Sequence, residues 1–220
     1  MPLHESHRHF SHLMAIHPLG LIRWENGDHD QRIIKAALQE LDRLGPDYWC
    51  GYSYAWLGSM ASRAKDGARA EKALEIFSKA FCSSNSFHLN GDQTKSGYSK
   101  FTYRPFTLEG NFAAAAGVQE MLLQSYAGYI ELFPAIPESW RDVSFSGLRA
   151  QGALIVTAEK KDSQLYVEIA AEQGGLLKIK NPFATQAFKP YLTKAKMVKE
   201  GSILEFQCEK GSRVVLQSQL

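Results

Sequence analysis

Residues 52–81 read YSYAWLGSMASRAKDGARAEKALEIFSKAF, and the helical part of the chain is predicted outward from this stretch. Its second half carries apolar residues at helical spacing: Ala70, Ala73, Leu74, Phe77 and Phe81. Asp66-Gly67 is a turn signal between two long segments without helix breakers. The stretch therefore predicts two helices, 52–64 and 68–81, joined by a short turn.

Two more helices are predicted on either side of this pair. Between Asp30 and Leu44 the apolar positions again follow a helical period, and Gly45-Pro46 ends the segment as a C-cap followed by a breaker. A small-residue segment from Glu109 predicts a helix that ends near Gly128. The polar residues 82–106 between them predict a long loop, of a kind that is often functional.

After Trp140 the period changes to two. Strand-like runs lie at residues 154–156, 165–169, 176–179, 203–206 and 214–216, separated by Gly, Ser, Asp and Lys turn signals. Short strands at near-regular spacing favour an antiparallel β-sandwich. The sequence thus predicts an α+β chain of two domains, 1–145 and 146–220, with residues 134–146 as the linker.

Composition narrows the classes of function. The chain has 220 residues, 45% of them apolar, so it is long enough to bury a sizeable core. A net charge of +2 with interspersed signs gives no electrostatic reason to expect nucleic acid or an acidic membrane surface as a partner. No apolar run approaches the ~18 residues of a membrane span. Three widely spaced cysteines predict neither a disulfide framework nor a zinc site.

A single carboxylate introduces the last predicted helix. Residues 105–112 read PFTLEGNF, in which Glu109 precedes Gly110, a residue that gives the backbone freedom at a loop-to-helix junction. Active-site acids and bases are often presented in this way. A carboxylate there is equally favoured by the unpaired amides and the macrodipole of the helix. The motif alone leaves open whether Glu109 is catalytic or a first-turn cap.

Histidines are concentrated near the N-terminus, where His4, His7, His9 and His12 surround Arg8. Imidazoles beside a guanidinium are suited to binding several hydroxyl groups or an anion. A metal site is the alternative, but no further ligand besides Glu5 lies nearby to complete a catalytic set, and no cofactor is expected. For His12 and His17 the sequence favours a place in the core or at a helix end.

Ordered blocks of the chain resemble glycoside hydrolase family 95. They are HRHFSHL at 7–13, PLG at 18–20, GYSYAW at 51–56, EGNF at 109–112, EMLLQS at 120–125, PAIP at 134–137 and GLRAQG at 147–152. That family contains inverting α-L-fucosidases and some members that act on α-L-galactosides. The resemblance implies a partial (α/α)6 toroid of helical hairpins, which bears the active site, followed by a C-terminal β-sandwich.

The resemblance also implies roles for particular residues. Glu109 is expected on the water-activating side of the reaction, with Arg8 and His9 binding the sugar and Asn111 contacting it. The ring of Trp56 is expected to pack on the pyranose, although a helical Trp is more often part of the core. Where the family usually has Asp-Gly-Asn-Phe-Gly, this chain has Glu109 and Ala113, so its carboxylate carries one extra methylene.

The family's general acid lies upstream of the His-Arg-His block, and few residues precede that block here. The expectation is therefore a C-terminal fragment of a fucosidase-like enzyme that lacks its proton donor and is inactive alone. Its expected partners are a fucosylated glycan and the missing N-terminal part of the same protein. The alternatives are a carbohydrate-binding or structural module, an α-L-galactosidase of the same family, and a metallohydrolase that uses the histidines.

Overall fold

The computed structural model describes residues 4–219, which form two compact units. The first unit runs to Met121 and includes Pro134–Pro137; the second comprises Leu122–Phe133 and the chain from Glu138 onward. Helices make up the first unit and antiparallel strands the second, as the sequence predicts. The chain passes into the second unit at residue 122, returns to the first at 134–137 and then stays in the second. The single domain boundary near residue 145 stays a prediction.

The helical unit contains four α-helices. They are α1 (Asp28–Leu44), α2 (Gly51–Arg63), α3 (Gly67–Ala80) and α4 (Leu108–Leu122), with 3-10 turns at Ser11–Leu13 and Trp24–Asn26. The predicted starts and ends of α1, α2 and α3 are confirmed to within a few residues. Gly45 ends α1 at a φ of 72°, and Asp66 caps α3 by accepting the Arg69 N–H at 3.0 Å. None of the helices within residues 4–219 is long and apolar enough to cross a membrane.

The helix that carries Glu109 is shorter than predicted. It ends at Leu122, because Leu123 and Gln124 form strand β1 (Leu123–Gln124), which pairs with β2 (Glu131–Leu132). Gly128, at a φ of 88°, lies in the connection between these strands and not at a helix end. The prediction of a helix to Gly128 is therefore wrong.

Helix α2 is the central helix of its unit and is buried along most of its length. Small residues let its neighbours approach closely: a Cβ at Gly117 of α4 would lie 3.5 Å from the Ala55 carbonyl oxygen and 3.1 Å from the Leu74 side chain. The surrounding core is aromatic and aliphatic, with members from all of α1, α2 and α3. This packing fixes α4 beside α2.

A buried ion pair also joins these two helices. Arg63 of α2 donates from Nε and Nη2 to both oxygens of Glu120 of α4, at 3.1 and 2.8 Å. Its Nη1 donates to the carbonyl oxygens of Ile16 and Pro18, at 3.2 and 3.3 Å. One guanidinium therefore holds α2, α4 and the segment 16–18 together.

The polar loop between α3 and α4 is organised by the buried carboxylate of Asp92. Its two oxygens accept the backbone N–H groups of Thr94, Lys95, Ser96 and Tyr98 and the Thr94 hydroxyl, at 2.7–3.2 Å. These hydrogen bonds to the ionised form hold the pKa of Asp92 below its usual value, although burial raises it. The loop is therefore tightly structured here.

We predict that Asp92→Asn destabilises the protein by about 3 kcal/mol, because an amide cannot accept all five hydrogen bonds and buried donors lose their partner. Asp47→Asn is the matched control, since Asp47 makes an exposed ion pair with Lys100, which is worth at most about 1 kcal/mol. Urea unfolding of both variants measures the difference. Equal stability of the two would contradict the assigned role of Asp92.

The second unit is built on one curled antiparallel sheet of six strands. They are β3 (Val143–Ala150), β4 (Leu154–Lys161), β5 (Gln164–Ala171), β6 (Gly175–Lys180), β7 (Phe188–Lys199) and β8 (Ile203–Ser218). The order is β3-β4-β5-β8-β6, and β7 also pairs with β8. The long β8 pairs with β6 through its first half and with β5 through its second half. Its alternate residues line one buried core: Leu204, Phe206, Cys208, Val214 and Leu216.

Candidate active site

A cavity of about 440 Å³ opens in the helical unit beside Glu109. Three pieces of chain form its walls: the segment 14–18, the face of α2 between Tyr52 and Ser59, and the first turns of α4. The complete lining is Met14, His17, Pro18, Tyr52, Trp56, Ser59, Glu109, Phe112, Ala113 and Ala116. These walls combine a mainly apolar surface with a few polar groups, which is the usual composition of a small-molecule site.

Glu109 lies in the first turn of α4 and is exposed. Its carboxylate makes no hydrogen bond or ion pair with any residue between 4 and 219. A helix-capping acid accepts an N–H of its own first turn, and this one does not. The arrangement therefore favours the interpretation of Glu109 as a group that is free to bind water or a ligand.

The start of α2 lies close to Arg8. The Ser53 hydroxyl accepts the Cys50 N–H at 3.1 Å and donates to the Arg8 carbonyl oxygen at 2.6 Å. One turn of α2 therefore fixes the backbone of the His-Arg-His block. Burial raises the pKa of the neighbouring Tyr52, and the charge of Glu109 adds to this shift. The phenol is thus kept protonated, as a hydrogen-bond donor at the cavity wall.

Trp56 is half-buried and lines the cavity one turn further along α2. Its Nε1 donates to the His17 carbonyl oxygen at 3.1 Å, and its ring meets Tyr52 edge-on at 5.8 Å between centroids. The side chain thus packs against the core and also lines the cavity, and its stacking on a pyranose stays a prediction.

His88, in the loop before α4, separates the starts of α2 and α4. It is fully buried, stacks on Phe77 at 5.3 Å, and its Nδ1 donates to the Thr107 carbonyl oxygen at 2.8 Å. A Cβ placed on either Gly51 or Gly110 would overlap the imidazole. The conformation next to Glu109 therefore requires glycine for space. The sequence predicts glycine at this position only for backbone freedom, and it does not indicate the contact with His88.

Asn111 faces the loop and does not line the cavity. Its side-chain oxygen accepts the His88 N–H at 2.9 Å, and its amide donates to the Ser86 carbonyl oxygen at 2.8 Å. The side chain thus fastens the loop to α4, one residue beyond Gly110. Any effect of Asn111 on a ligand passes through this loop.

Arg8 and His9 are exposed and do not line the cavity of Glu109. His9 lies with His7, His12 and Trp49 at a second cavity, of about 340 Å³. Burial lowers the pKa of His9, and the charges of Arg8 and His7 lower it further. Within residues 4–219 no three His, Cys, Asp or Glu side chains are placed to hold a metal ion. His4 and Glu5 are exposed.

His17 is the lining residue whose place the sequence did not indicate. Its side chain is 18% exposed, and its Nδ1 is buried without a hydrogen-bond partner in the described chain. This atom lies 3.9 Å from Glu120 Oε1. Burial, and then the charge of Arg63, lower the pKa of His17 to about 4 against the opposing effect of Glu120. The ring is therefore neutral at pH 7.

Comparison with known protein families shows which family this chain belongs to. The model described as "Glycosyl hydrolase family 95 catalytic domain" matches residues 3–122, which is more than half of the chain. The chain belongs to glycoside hydrolase family 95. The family's C-terminal domain matches residues 124–216, so both parts of the sequence-based resemblance are confirmed. The helical unit with Glu109 thus falls within the match to the family 95 catalytic domain.

A curated relative carries a related name. The chain is 28% identical over 160 residues to alpha-L-fucosidase 2 of Arabidopsis thaliana. The matched region covers 72% of this chain and 18% of that protein. The chain therefore spans less than a fifth of the length of this relative.

We predict that Gly110→Ala destabilises this family 95 chain by about 1–3 kcal/mol, because the new methyl group overlaps the His88 ring. In a His88→Ala background the same change should cost much less, since the space is then free. Urea unfolding of the double-mutant cycle measures the coupling. Additive effects would show that His88 does not impose glycine at position 110.

A second prediction concerns pH and His17. Between its lowered pKa of about 4 and its ordinary value of 6.5, the unfolded chain binds a proton that the folded chain does not. The contribution of His17 to the free energy of unfolding is therefore fully present above pH 6.5 and is lost as the pH falls towards 4. The stability gap between wild type and His17→Gln should change by roughly 3 kcal/mol across this window.

Denaturant unfolding at several pH values measures this dependence. His29→Gln is the matched control, because it removes an exposed imidazole in the first turn of α1. An unchanged pH dependence in His17→Gln would contradict the buried, neutral state of His17.

Proposed function

We propose that this chain forms the water-activating side of the active site of an inverting α-L-fucosidase-like hydrolase, with Glu109 as the general base. One observation carries the proposal. Glu109 is the one acid among the lining residues of its cavity, and its carboxylate is held by no hydrogen bond or ion pair within residues 4–219. A base of this kind must leave its oxygens available to a water molecule.

In the proposed reaction Glu109 takes a proton from a water molecule, whose oxygen attacks the anomeric carbon of the fucosyl residue. The bond from that carbon to the glycosidic oxygen breaks, and a general acid protonates the departing oxygen. Attack from the face opposite the leaving group inverts the configuration. The product is β-L-fucose.

We propose that the general acid does not come from these 220 residues. Inverting enzymes place their two catalytic groups about 6.5–9.5 Å apart, across the sugar. The nearest other acid behind the cavity wall, Glu120, is committed to Arg63 and held on the buried side of His17. The match to only 18% of the Arabidopsis relative supports a catalytic domain that extends beyond this chain.

The sugar would be positioned by groups around the starts of α2 and α4. We assign the stacking surface to Trp56, a hydrogen bond to Tyr52, and outer contacts to Arg8 and His9, whose backbone is tied to Ser53. Asn111 would contribute by holding the loop beside Glu109. The proposed partners are a fucosylated glycan and the remainder of the catalytic domain.

An α-L-fucosyl fluoride tests the proposal, because fluoride departs without the protonation that a sugar oxygen needs. The full chain should release fluoride and β-L-fucose from this compound, detected by NMR, and should leave a fucosyl disaccharide, whose leaving oxygen needs protonation, intact. Glu109→Gln should lower the fluoride hydrolysis by about two to four orders of magnitude, because the amide cannot accept the proton from water.

Glu5→Gln is the matched control and should retain the wild-type rate, since Glu5 lies outside the Glu109 cavity. Glu109→Asp should change the rate, because it withdraws the carboxylate by one methylene from the water. Fluoride hydrolysis that survives Glu109→Gln would refute the base assignment. Hydrolysis of the fucosyl disaccharide would refute the missing acid, whereas sugar binding without fluoride release would favour a binding module.

A further inference from the structure

His17 has a place in the cavity that the mechanism above does not use. Its side chain shares the cavity with Glu109, and it approaches from the segment 14–18 and not from a helix. Tyr52, Trp56 and Ser59 of α2 line the same cavity. One edge of the His17 ring is buried, as the sequence favours for this residue, while the side chain also borders the cavity.

The surroundings of His17 fix its position firmly. Trp56 Nε1 binds the His17 carbonyl oxygen at 3.1 Å, and Arg63 Nη1 binds the carbonyl oxygens of the flanking Ile16 and Pro18. The backbone on both sides of the imidazole is thus held by α2. A ligand that meets this ring loses little entropy in ordering it, which is the advantage of a preorganised site.

The two ring nitrogens have different surroundings. Nδ1 is buried and faces Glu120 Oε1 at 3.9 Å, which is too long for a hydrogen bond but favours a proton on Nδ1. In a neutral ring the proton on Nδ1 leaves Nε2 as an acceptor. The 18% of the side chain that is exposed excludes Nδ1, so the accessible edge is the one that carries Nε2.

We infer that His17 is a sugar-binding residue whose Nε2 accepts a hydrogen bond from a hydroxyl group of a pyranose in the Glu109 cavity. The inference rests on the proposed function and adds a contact that neither the family match nor the relative assigns. The neighbouring Tyr52 donates and the Trp56 ring offers an apolar face, so the three residues supply an acceptor, a donor and a stacking surface. A pyranose, with hydroxyl groups that donate and accept and an apolar ring face, can use all three kinds of contact.

Histidine NMR signals of the full chain provide the test. The chain, labelled with ¹³C and ¹⁵N at histidine, is titrated with L-fucose, L-galactose and D-glucose, and signals are assigned with His17→Gln. We expect L-fucose to shift the His17 Nε2 and Cε1 signals. His17→Phe, which fills the space without an acceptor, should bind L-fucose about threefold to tenfold more weakly, the usual effect of one lost hydrogen bond.

Two variants control for indirect effects. His17→Gln retains an acceptor and should recover part of the affinity, and His29→Phe, in the exposed first turn of α1, should bind L-fucose as wild type does. Thermal unfolding of each variant establishes that it is folded. If His17→Phe does not fold, the shifts in the wild-type chain and the affinity of His17→Gln decide the question.

The outcomes separate this inference from the proposed function. L-Fucose binding with unmoved His17 signals, or with equal affinity in His17→Phe, overturns the inference and leaves the fucosidase proposal standing. Binding of L-galactose or D-glucose at His17 without binding of L-fucose supports the inference and counts against fucose as the substrate. Unchanged His17 signals with all three sugars overturn the inference.

Discussion

The buried ion pair between Arg63 and Glu120 is the interaction on which the cavity depends. The pair connects all three pieces of chain that form the cavity. Arg63 lies on α2 and Glu120 on α4, and Arg63 also donates to carbonyl oxygens of the segment 16–18. The side chains of the pair are 7% and 18% exposed, so removing one partner would leave the other charge buried, at a cost of about 3–5 kcal/mol. The pair adds little net stability over an apolar contact. Its effect is geometric, because it sets the position of His17 relative to α4.

The opposite ends of the same two helices are fixed by shape. His88 fills the space between Gly51 and Gly110, and its hydrogen bonds to Thr107 and Asn111 prevent the ring from leaving. A polar contact at one end and a steric contact at the other together define one spacing between α2 and α4. This spacing sets the position of Glu109, whose own carboxylate makes no hydrogen bond or ion pair within residues 4–219. A carboxylate with free oxygens can therefore still be held in place, because its backbone is constrained on both sides.

The sequence predicts features that depend on near neighbours and misses those that depend on distant ones. The bounds of α1 to α3 follow from periodicity and local caps, and the place of Glu109 at the start of a helix follows from its motif. The predicted end of α4 is wrong because Leu123 pairs with Leu132 and does not continue the helix. Both residues belong to the second unit, so this pairing depends on a part of the chain beyond the helix. Strand β7 was missed because neither of its faces is fully buried, so no apolar alternation marks it. His17 and His88 cannot be recognised from sequence, since the groups that place them, Trp56 and Arg63 around His17 and Gly51 and Gly110 around His88, lie more than 20 residues away.

The cavity's composition bears on which sugar the proposed enzyme would prefer. L-Fucose carries a methyl group where L-galactose carries a hydroxymethyl group, and the apolar part of the lining, Met14, Phe112 and the alanines of α4, suits a methyl group. An apolar wall opposes the larger sugar only through the cost of burying its extra hydroxyl group, so it cannot strongly reject that sugar. Discrimination by such a wall is about a hundredfold at most, whereas a site built around a hydrogen bond to the hydroxyl reaches far higher ratios. In the proposed hydrolase this wall would therefore favour fucosides while still admitting galactosides, because the groups proposed to bind the sugar, Tyr52, His17 and Glu109, would contact features that the two sugars share.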